Sequence, residues 1–212
     1  MKKALLITLF AATSNSFAAT ALVSNVVAGP GDTLYADSSG SLLSSGIVTV
    51  GYFGSGFDVN ANLADQGSLV GSFTSVTSQQ FGQSVTDLGG GIFAGYVQGT
   101  IDAIGNITTG NALLGRALYS FIGNAATLAG STEVALVLLQ NIGDDVPTEQ
   151  AYSGNPAGLT PTIGTIGSFM GDASGSGSAT HPTVQTAVLV PEPSTLLLSA
   201  FGVLGLLLRR KR

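Results

Sequence analysis

Short runs of β-branched, aromatic and other apolar residues, separated by turns rich in Gly, Ser and Asp, recur between the two apolar ends of the chain. Such runs predict strands, because β-branched and aromatic side chains fit a pleated, half-buried surface. Residues 134–139 are apolar without interruption, which predicts a central strand covered on both faces. The predicted strands are residues 33–36, 47–53, 92–101, 115–122 and 134–140.

Helical spacing is found in one internal segment. Residues 60–73 place Leu63, Val70 and Phe73 near one face of a helix, and Asp58 is a candidate N-cap. The glycines within the segment lower its helix propensity. The spacing of strands and turns therefore predicts a mainly β protein, with an antiparallel β-sandwich-like domain and one short helix.

The end of this domain is richer in small polar residues. Residues 171–183 are the most linker-like stretch and are predicted to form a flexible loop. Residues 162–169 could still pair as a strand, and residues 184–190 alternate well enough to predict a last strand. The domain, residues 19–190, would then lead without a spacer into the C-terminal tail.

Residues 1–18 have the order of a secretory signal peptide. A Lys-Lys pair is followed by an apolar run, residues 4–12, and by the small-x-small sequence Ser-Phe-Ala. This order predicts export through the Sec machinery, with cleavage between Ala18 and Ala19. Cleavage after Ala21 is an alternative, and an N-terminal helix of the domain itself is another.

The C-terminal tail consists of three consecutive parts. Residues 191–193 are Pro-Glu-Pro, an extended triplet whose prolines lack N–H donors. Residues 195–208 are apolar around the whole helix and would span roughly 21 Å, against the ~30 Å of a bilayer core. They predict a short transmembrane helix, with a buried core helix as the alternative. Four cations stop the helix and keep the end of the chain cytoplasmic: Arg209, Arg210, Lys211 and Arg212.

This order resembles the PEP-CTERM sorting signal of diderm bacteria, and the resemblance covers residues 190–212. It implies that Pro191, Glu192 and Pro193 are recognised by an exosortase, a membrane-embedded cysteine-transpeptidase-like enzyme that cuts near the triplet. The catalytic residues would then belong to the exosortase. The implied route passes transiently through the inner membrane to the cell surface, outer envelope or extracellular matrix, in a biofilm setting.

Charge is distributed unevenly along the chain. Six of the seven Lys and Arg residues flank the apolar ends, so residues 19–190 carry eleven acidic residues and a single cation, Arg116, for a net charge of −10. This field disfavours nucleic acid and anionic lipid as partners, since both need clustered Lys and Arg. The absence of cysteine excludes disulfides, thiolate nucleophiles and zinc–thiolate sites.

Residues with catalytic or metal-binding chemistry are few. His181, the single histidine, falls in the linker-like stretch and is expected to be solvated, because a catalytic histidine needs a rigid position. Asp144, Asp145 and Glu149 have the oxygen chemistry of a calcium site, but their spacing matches no EF-hand. A solvated acidic loop is therefore expected there, and no cofactor is predicted.

The polar residues of the domain are mostly Ser, Thr, Gly, Asn and Gln, which suit hydrogen bonding to polyols. They are compatible with contact to a matrix exopolysaccharide or with O-glycosylation. We therefore expect a non-enzymatic exported surface protein that an exosortase processes. The alternatives are a secreted, carboxylate-dependent carbohydrate hydrolase and a permanently anchored membrane protein.

Overall fold

The computed structural model describes residues 19–25, 33–85, 88, 90–105, 112–142, 151–153, 155–171 and 179–188. Within these ranges the chain forms fourteen strands, a 3-10 turn (Asn60–Asn62) and one α-helix, α1 (Gln66–Ser72). The strands are β1 (Ala19–Ser24), β2 (Leu34–Ala36), β3 (Ile47–Phe53), β4 (Phe73–Gln80), β5 (Ser84–Val85), β6 (Gly91–Ile92), β7 (Gln98–Gly105), β8 (Ala117–Gly123), β9 (Glu133–Asn141), β10 (Ala151–Ser153), β11 (Pro161–Ile163), β12 (Thr165–Met170), β13 (Thr180–Gln185) and β14 (Ala187–Val188).

The largest sheet, called the main sheet below, has the order β11-β9-β8-β3-β4, and β14 also pairs with β9. All of its pairs are antiparallel. β3 has the predicted bounds, and the residues from Val134 to Val137 in β9 are fully buried. The prediction of a doubly covered central strand is thus confirmed as far as Val137, whereas Leu138 is 39 % exposed.

Apolar residues alternate between the two faces of the main sheet and form two clusters. One face packs against Val23 of β1, Tyr35 of β2 and Val184 of β13. Two smaller sheets, β10-β1-β7 and β12-β13-β2, therefore contribute to this core. The other face packs against α1, where Leu69 lies in one cluster with Phe121 of β8. The main sheet is buried from both sides because its strands are apolar at successive positions.

A mainly β fold with antiparallel sheets and one short helix is confirmed. Two pairs depart from the antiparallel pattern, because β1 runs parallel to β10 and β13 runs parallel to β2. Each of these pairs joins segments that are more than a hundred residues apart in the chain. Local hydrophobic periodicity carries no information about such pairing.

The helix predicted over residues 60–73 is shorter and begins later. The Asp58 side chain accepts a hydrogen bond from the Ala61 backbone N–H in the 3-10 turn, at 3.2 Å, and does not cap α1. Asp65 is the N-cap of α1 and accepts from the backbone N–H of Ser68 at 3.0 Å. Phe73 begins β4 instead of ending the helix, because the backbone is already extended at this residue.

Several predicted strands are divided in the structure. The strand predicted over residues 92–101 consists of β6 and β7 with residues 93–97 between them. The possible strand over residues 162–169 is replaced by β11 and β12, which meet at Gly164. Gly164 has a φ of +100°, a conformation that favours glycine and breaks the strand.

The predicted flexible loop over residues 171–183 is partly wrong. Residues 180–183 belong to β13, which pairs with β12 on one side and β2 on the other. Residues 172–178 lie outside the described ranges, as do the predicted signal peptide, residues 1–18, and the tail, residues 189–212. Within the described ranges, no helix has the length and apolar character needed to cross a membrane.

Candidate functional site

The last described strand fixes the point at which the C-terminal tail leaves the domain. In β14, Ala187 pairs with Val134 and Val188 pairs with Glu133 at the start of β9. Val188 lies three residues before Pro191, and three extended residues reach at most roughly 11 Å. The described part of the chain therefore ends in a strand that pairs with the start of β9.

Glu133 ties three segments together at this exit point. Its Oε2 accepts hydrogen bonds from the Ser38 backbone N–H at 2.8 Å and from Thr186 Oγ1 at 2.7 Å, and its Oε1 accepts from Ser38 Oγ at 2.8 Å. The Thr186 backbone N–H donates to the Ala36 carbonyl at 2.9 Å. Desolvation raises the pKa of Glu133, but the hydrogen bonds from Ser38 and Thr186 outweigh it, so that this pKa lies below its ordinary value. The carboxylate thus anchors the segment that enters β14.

A cleft of about 180 Å³ lies between residues 54–59, which follow β3, and residues 115–119 at the start of β8. Arg116 lines it and is the single cation of residues 19–190. The backbone of Arg116 is held in place, because Ile142 N–H donates to the Arg116 carbonyl at 2.8 Å. The Arg116 Nε–H donates to the Ala112 carbonyl at 3.4 Å, a long hydrogen bond at the surface.

Three aromatic rings form the apolar part of this cleft. Phe53 is 6 % exposed, and Phe57 stacks on it with ring centroids 5.1 Å apart and planes inclined by 12°. Tyr119 meets Phe53 edge-on at 5.2 Å. Gly56 and Gly115, with φ of +84° and +70°, turn the chain at the two rims, where other residues would be strained. We call this site the Arg116 cleft.

A second groove, of about 370 Å³, lies between α1 and the loop before β9. Gln66 closes one side by donating to the carbonyls of Leu128 and Ser131 at 3.0 and 2.8 Å. Val70 and Ala129 supply apolar lining. None of its lining residues carries a charge. The groove therefore has fewer groups for ligand binding than the Arg116 cleft has.

The structure does not reach most of the predicted site residues. Ala19 is the first residue of β1 and pairs with Gly105. The other predicted residues lie outside the described ranges: Ala18, Asp144, Asp145, Glu149, Pro191, Glu192, Pro193, Arg209, Arg210, Lys211 and Arg212. Among the residues that are described, no group of three or more His, Cys, Asp or Glu side chains is placed to hold a metal ion.

The expectation that His181 is solvated is wrong. His181 is 6 % exposed in β13, opposite Phe169 of β12. Neither ring nitrogen has a hydrogen-bond partner among the described residues. Burial follows from the position of β13 between two strands, which the Gly, Ser and Thr around it in the sequence do not reveal. A catalytic histidine would be held by hydrogen bonds to a nucleophile and an acid, and within the described ranges this ring has neither.

Comparison with known proteins identifies the tail. Residues 189–212 match the family model of the PEP-CTERM protein-sorting motif, so that this segment, about a ninth of the chain, carries that motif. The motif supports an exported protein that an exosortase sorts to the surface of a Gram-negative bacterium. No curated protein and no solved structure matches the chain.

Proposed function

We propose that this chain is a non-enzymatic surface protein, exported through Sec and processed by an exosortase at the Pro-Glu-Pro triplet. The observation that carries the proposal is the PEP-CTERM match over residues 189–212. Its β-sandwich-like domain, residues 19–190, is delivered to the outer envelope or the biofilm matrix, where an exopolysaccharide is the proposed partner. The net charge of −10 argues against nucleic acid.

Cleavage of the signal peptide after Ala18 agrees with the pairing of β1. β1 is the middle strand of its sheet, and residues 19–21 supply three of its five register pairs with β7 and two of its three with β10. Cleavage after Ala21 would remove these pairs and leave only the second half of β1 to pair with β7 and β10. Cleavage between Ala18 and Ala19 keeps the complete strand.

The helix over residues 195–208 acts as a temporary hold in this proposal. It is shorter than a bilayer core by roughly 9 Å, which makes it a poor permanent anchor. The four cations, residues 209–212, resist translocation while the exosortase acts. The tether at Val188 keeps the triplet next to the folded domain, so that the domain lies against the outer face of the inner membrane during processing.

The mass of the surface protein tests this proposal. In cells with the exosortase, we expect the mature protein to lack residues 196–212. Glu192→Ala and Pro193→Ala should leave an uncut, membrane-bound precursor, whereas Glu149→Ala, an acidic residue outside the motif, should be processed normally. A surface protein that still ends at Arg212 in such cells would refute processing and favour a permanent anchor.

Three of the described carboxyl groups have structural roles. A glycosidase needs a general acid with a raised pKa. Within the described ranges, the carboxyl groups with a resolved shift, Asp37, Asp65 and Glu133, all have lowered pKa values. Asp37 accepts from Ser39 in a turn, and Asp65 caps α1. Turnover of a polysaccharide by the purified protein, lost in Asp144→Asn with Asp145→Asn, would instead establish the hydrolase alternative.

A further inference from the structure

We propose that the Arg116 cleft binds an uncharged hexose unit of a polysaccharide. The inference rests on the proposed function in one respect, since a polysaccharide is the polymer that a matrix protein meets. Its physical basis is independent of the tail. It consists of a half-buried aromatic face, the cationic side chain of Arg116 and an exposed polar loop, all lining one cleft.

The aromatic face suits the C–H side of a sugar ring. Phe57 is only half-buried although its ring is stacked on buried Phe53, because Phe53 covers one face of the ring and the cleft adjoins the residue. The face of an aromatic ring is electron-rich and attracts positively polarised C–H groups. A pyranose presents several axial C–H bonds on one side, so that it can lie flat on such a ring.

The polar groups of the cleft match sugar hydroxyls. A hydroxyl is both a donor and an acceptor, so that a site for it needs both kinds of group. Arg116 supplies N–H donors in a planar fork. The Ser55 hydroxyl, within the exposed residues 54–56, can both accept and donate on the opposite rim. Donors and acceptors therefore face a sugar ring from two sides.

Charge and size decide in favour of an uncharged unit. An acidic polymer would meet the field of the domain, −10 over residues 19–190, and the Asp58 carboxylate next to Phe57. One arginine does not offset such a field. The cleft, about 180 Å³, is below the usual size of about 300–1,000 Å³ for drug-sized ligands, which suits one sugar unit at a time.

Isothermal titration of the mature protein purified from cells tests the proposal, with cellohexaose and mannohexaose as neutral probes and oligogalacturonate as the acidic probe. We expect binding of a neutral probe and little binding of the acidic one. Arg116→Ala and Phe57→Leu should each weaken binding about ten-fold or more, through the lost charged donor and the lost aromatic face. Ile92→Ala changes an exposed apolar residue outside the cleft, so that this control should bind as the wild type does.

Three results would overturn the proposal. The first is that neither neutral probe binds. The second is that a neutral probe binds but Arg116→Ala and Phe57→Leu leave its affinity unchanged. The third is that oligogalacturonate binds more tightly than both neutral probes. Arg116 is partly exposed and its side chain makes only one long hydrogen bond, so that Arg116→Ala should keep the thermal unfolding midpoint even if Phe57→Leu is destabilised. The intact mass of each variant shows whether its C-terminus has been processed, and so tests the proposed function separately from sugar binding. Failure to bind in a normally processed protein refutes the cleft alone, whereas failure of processing refutes the proposed function.

Discussion

The main sheet and the small sheet β12-β13-β2 bury their side chains in different ways. In the main sheet, four consecutive residues of β9, from Val134 to Val137, are apolar and fully buried. In the small sheet, Thr183 Oγ1 and both ring nitrogens of His181 are buried without a hydrogen-bond partner among the described residues, and so is Oγ1 of Thr33, directly before β2. The hydroxyls of Tyr35 and Ser120 lie near each other between the two sheets, but neither has a well-formed hydrogen bond among the described residues.

This difference shows that the two sheets contribute unequally to stability. Burial of apolar area stabilises the main sheet directly. A buried polar group without a partner costs about 1–3 kcal/mol. Such groups therefore lower the stability that burial gives to the small sheet. The main sheet should therefore lose stability on truncation of its core, whereas the small sheet should gain stability when its unpartnered polar atoms are removed.

The largest effect is expected in the main sheet. Leu136→Ala removes a fully buried side chain between α1 and β8 and should lower the free energy of unfolding by about 2–5 kcal/mol. Leu138→Ala is the matched control, because it makes the same change two residues further along β9 at a position that is 39 % exposed. Urea unfolding measures both. Equal losses for the two variants would contradict the assignment of the stability core to residues 134–137.

The same contrast explains what could be predicted from the sequence. β3 and β9 were predicted because their apolar residues are contiguous or alternate. β4 was missed because its sequence, FTSVTSQQ, is mostly polar, as suits a strand at the edge of the main sheet. The first four residues of β13, 180–183, were assigned to the linker-like loop because Thr, His and Pro dominate them, and they are buried by pairing with β12 and β2, which the local sequence does not reveal.

The sorting motif and the Arg116 cleft also differ in how far the sequence predicts them. The sorting motif could be predicted because its three parts are contiguous in the chain. The Arg116 cleft could not, because its rims are about sixty residues apart and meet only through the pairing of β3 with β8, in which Gly51 lies opposite Tyr119. The presence of one cation in residues 19–190 was the available signal, and it gave no partner for Arg116.

A gain of stability is expected in the small sheet from His181→Leu. The change removes two buried ring nitrogens without partners and places an apolar side chain opposite Phe169, so that the free energy of unfolding should rise by about 1–3 kcal/mol. His181→Gln retains polar atoms at the position and should give no such gain. If thermal or urea unfolding showed that His181→Leu is less stable than the wild type, a buried water or another group must satisfy the ring.

Smaller changes in stability, of opposite sign to each other, are expected when two threonines three residues apart are each replaced by valine. Thr183→Val removes a hydroxyl without a partner and should stabilise by about 1 kcal/mol. Thr186→Val removes the hydroxyl that donates to Glu133 at 2.7 Å and should destabilise by about the same amount. Both threonines are buried, at 1 % and 3 % exposure, and the chemical change is identical. Changes of the same sign in the two urea midpoints would contradict the contrast between the two environments.

The smallest expected effect concerns the carboxylate that links the two sheets. Glu133 begins β9, and its donors Ser38 and Thr186 follow β2 and β13. Its pKa is lowered in the folded protein, because hydrogen bonds from Ser38 and Thr186 outweigh the opposing desolvation.

The stability that Glu133 contributes is therefore present above its unfolded pKa of about 4.3 and is lost as the pH falls through the lower folded value. Glu133→Gln cannot titrate, so that its thermal midpoint should lie below that of the wild type at neutral pH and approach it in acid. Ser38→Ala removes one of the donors to Glu133, so that its thermal midpoint at neutral pH should lie between those of the wild type and Glu133→Gln. Midpoints of the wild type and Glu133→Gln that stay parallel from neutral pH to pH 3 would mean that the link between the sheets does not depend on the charge of Glu133.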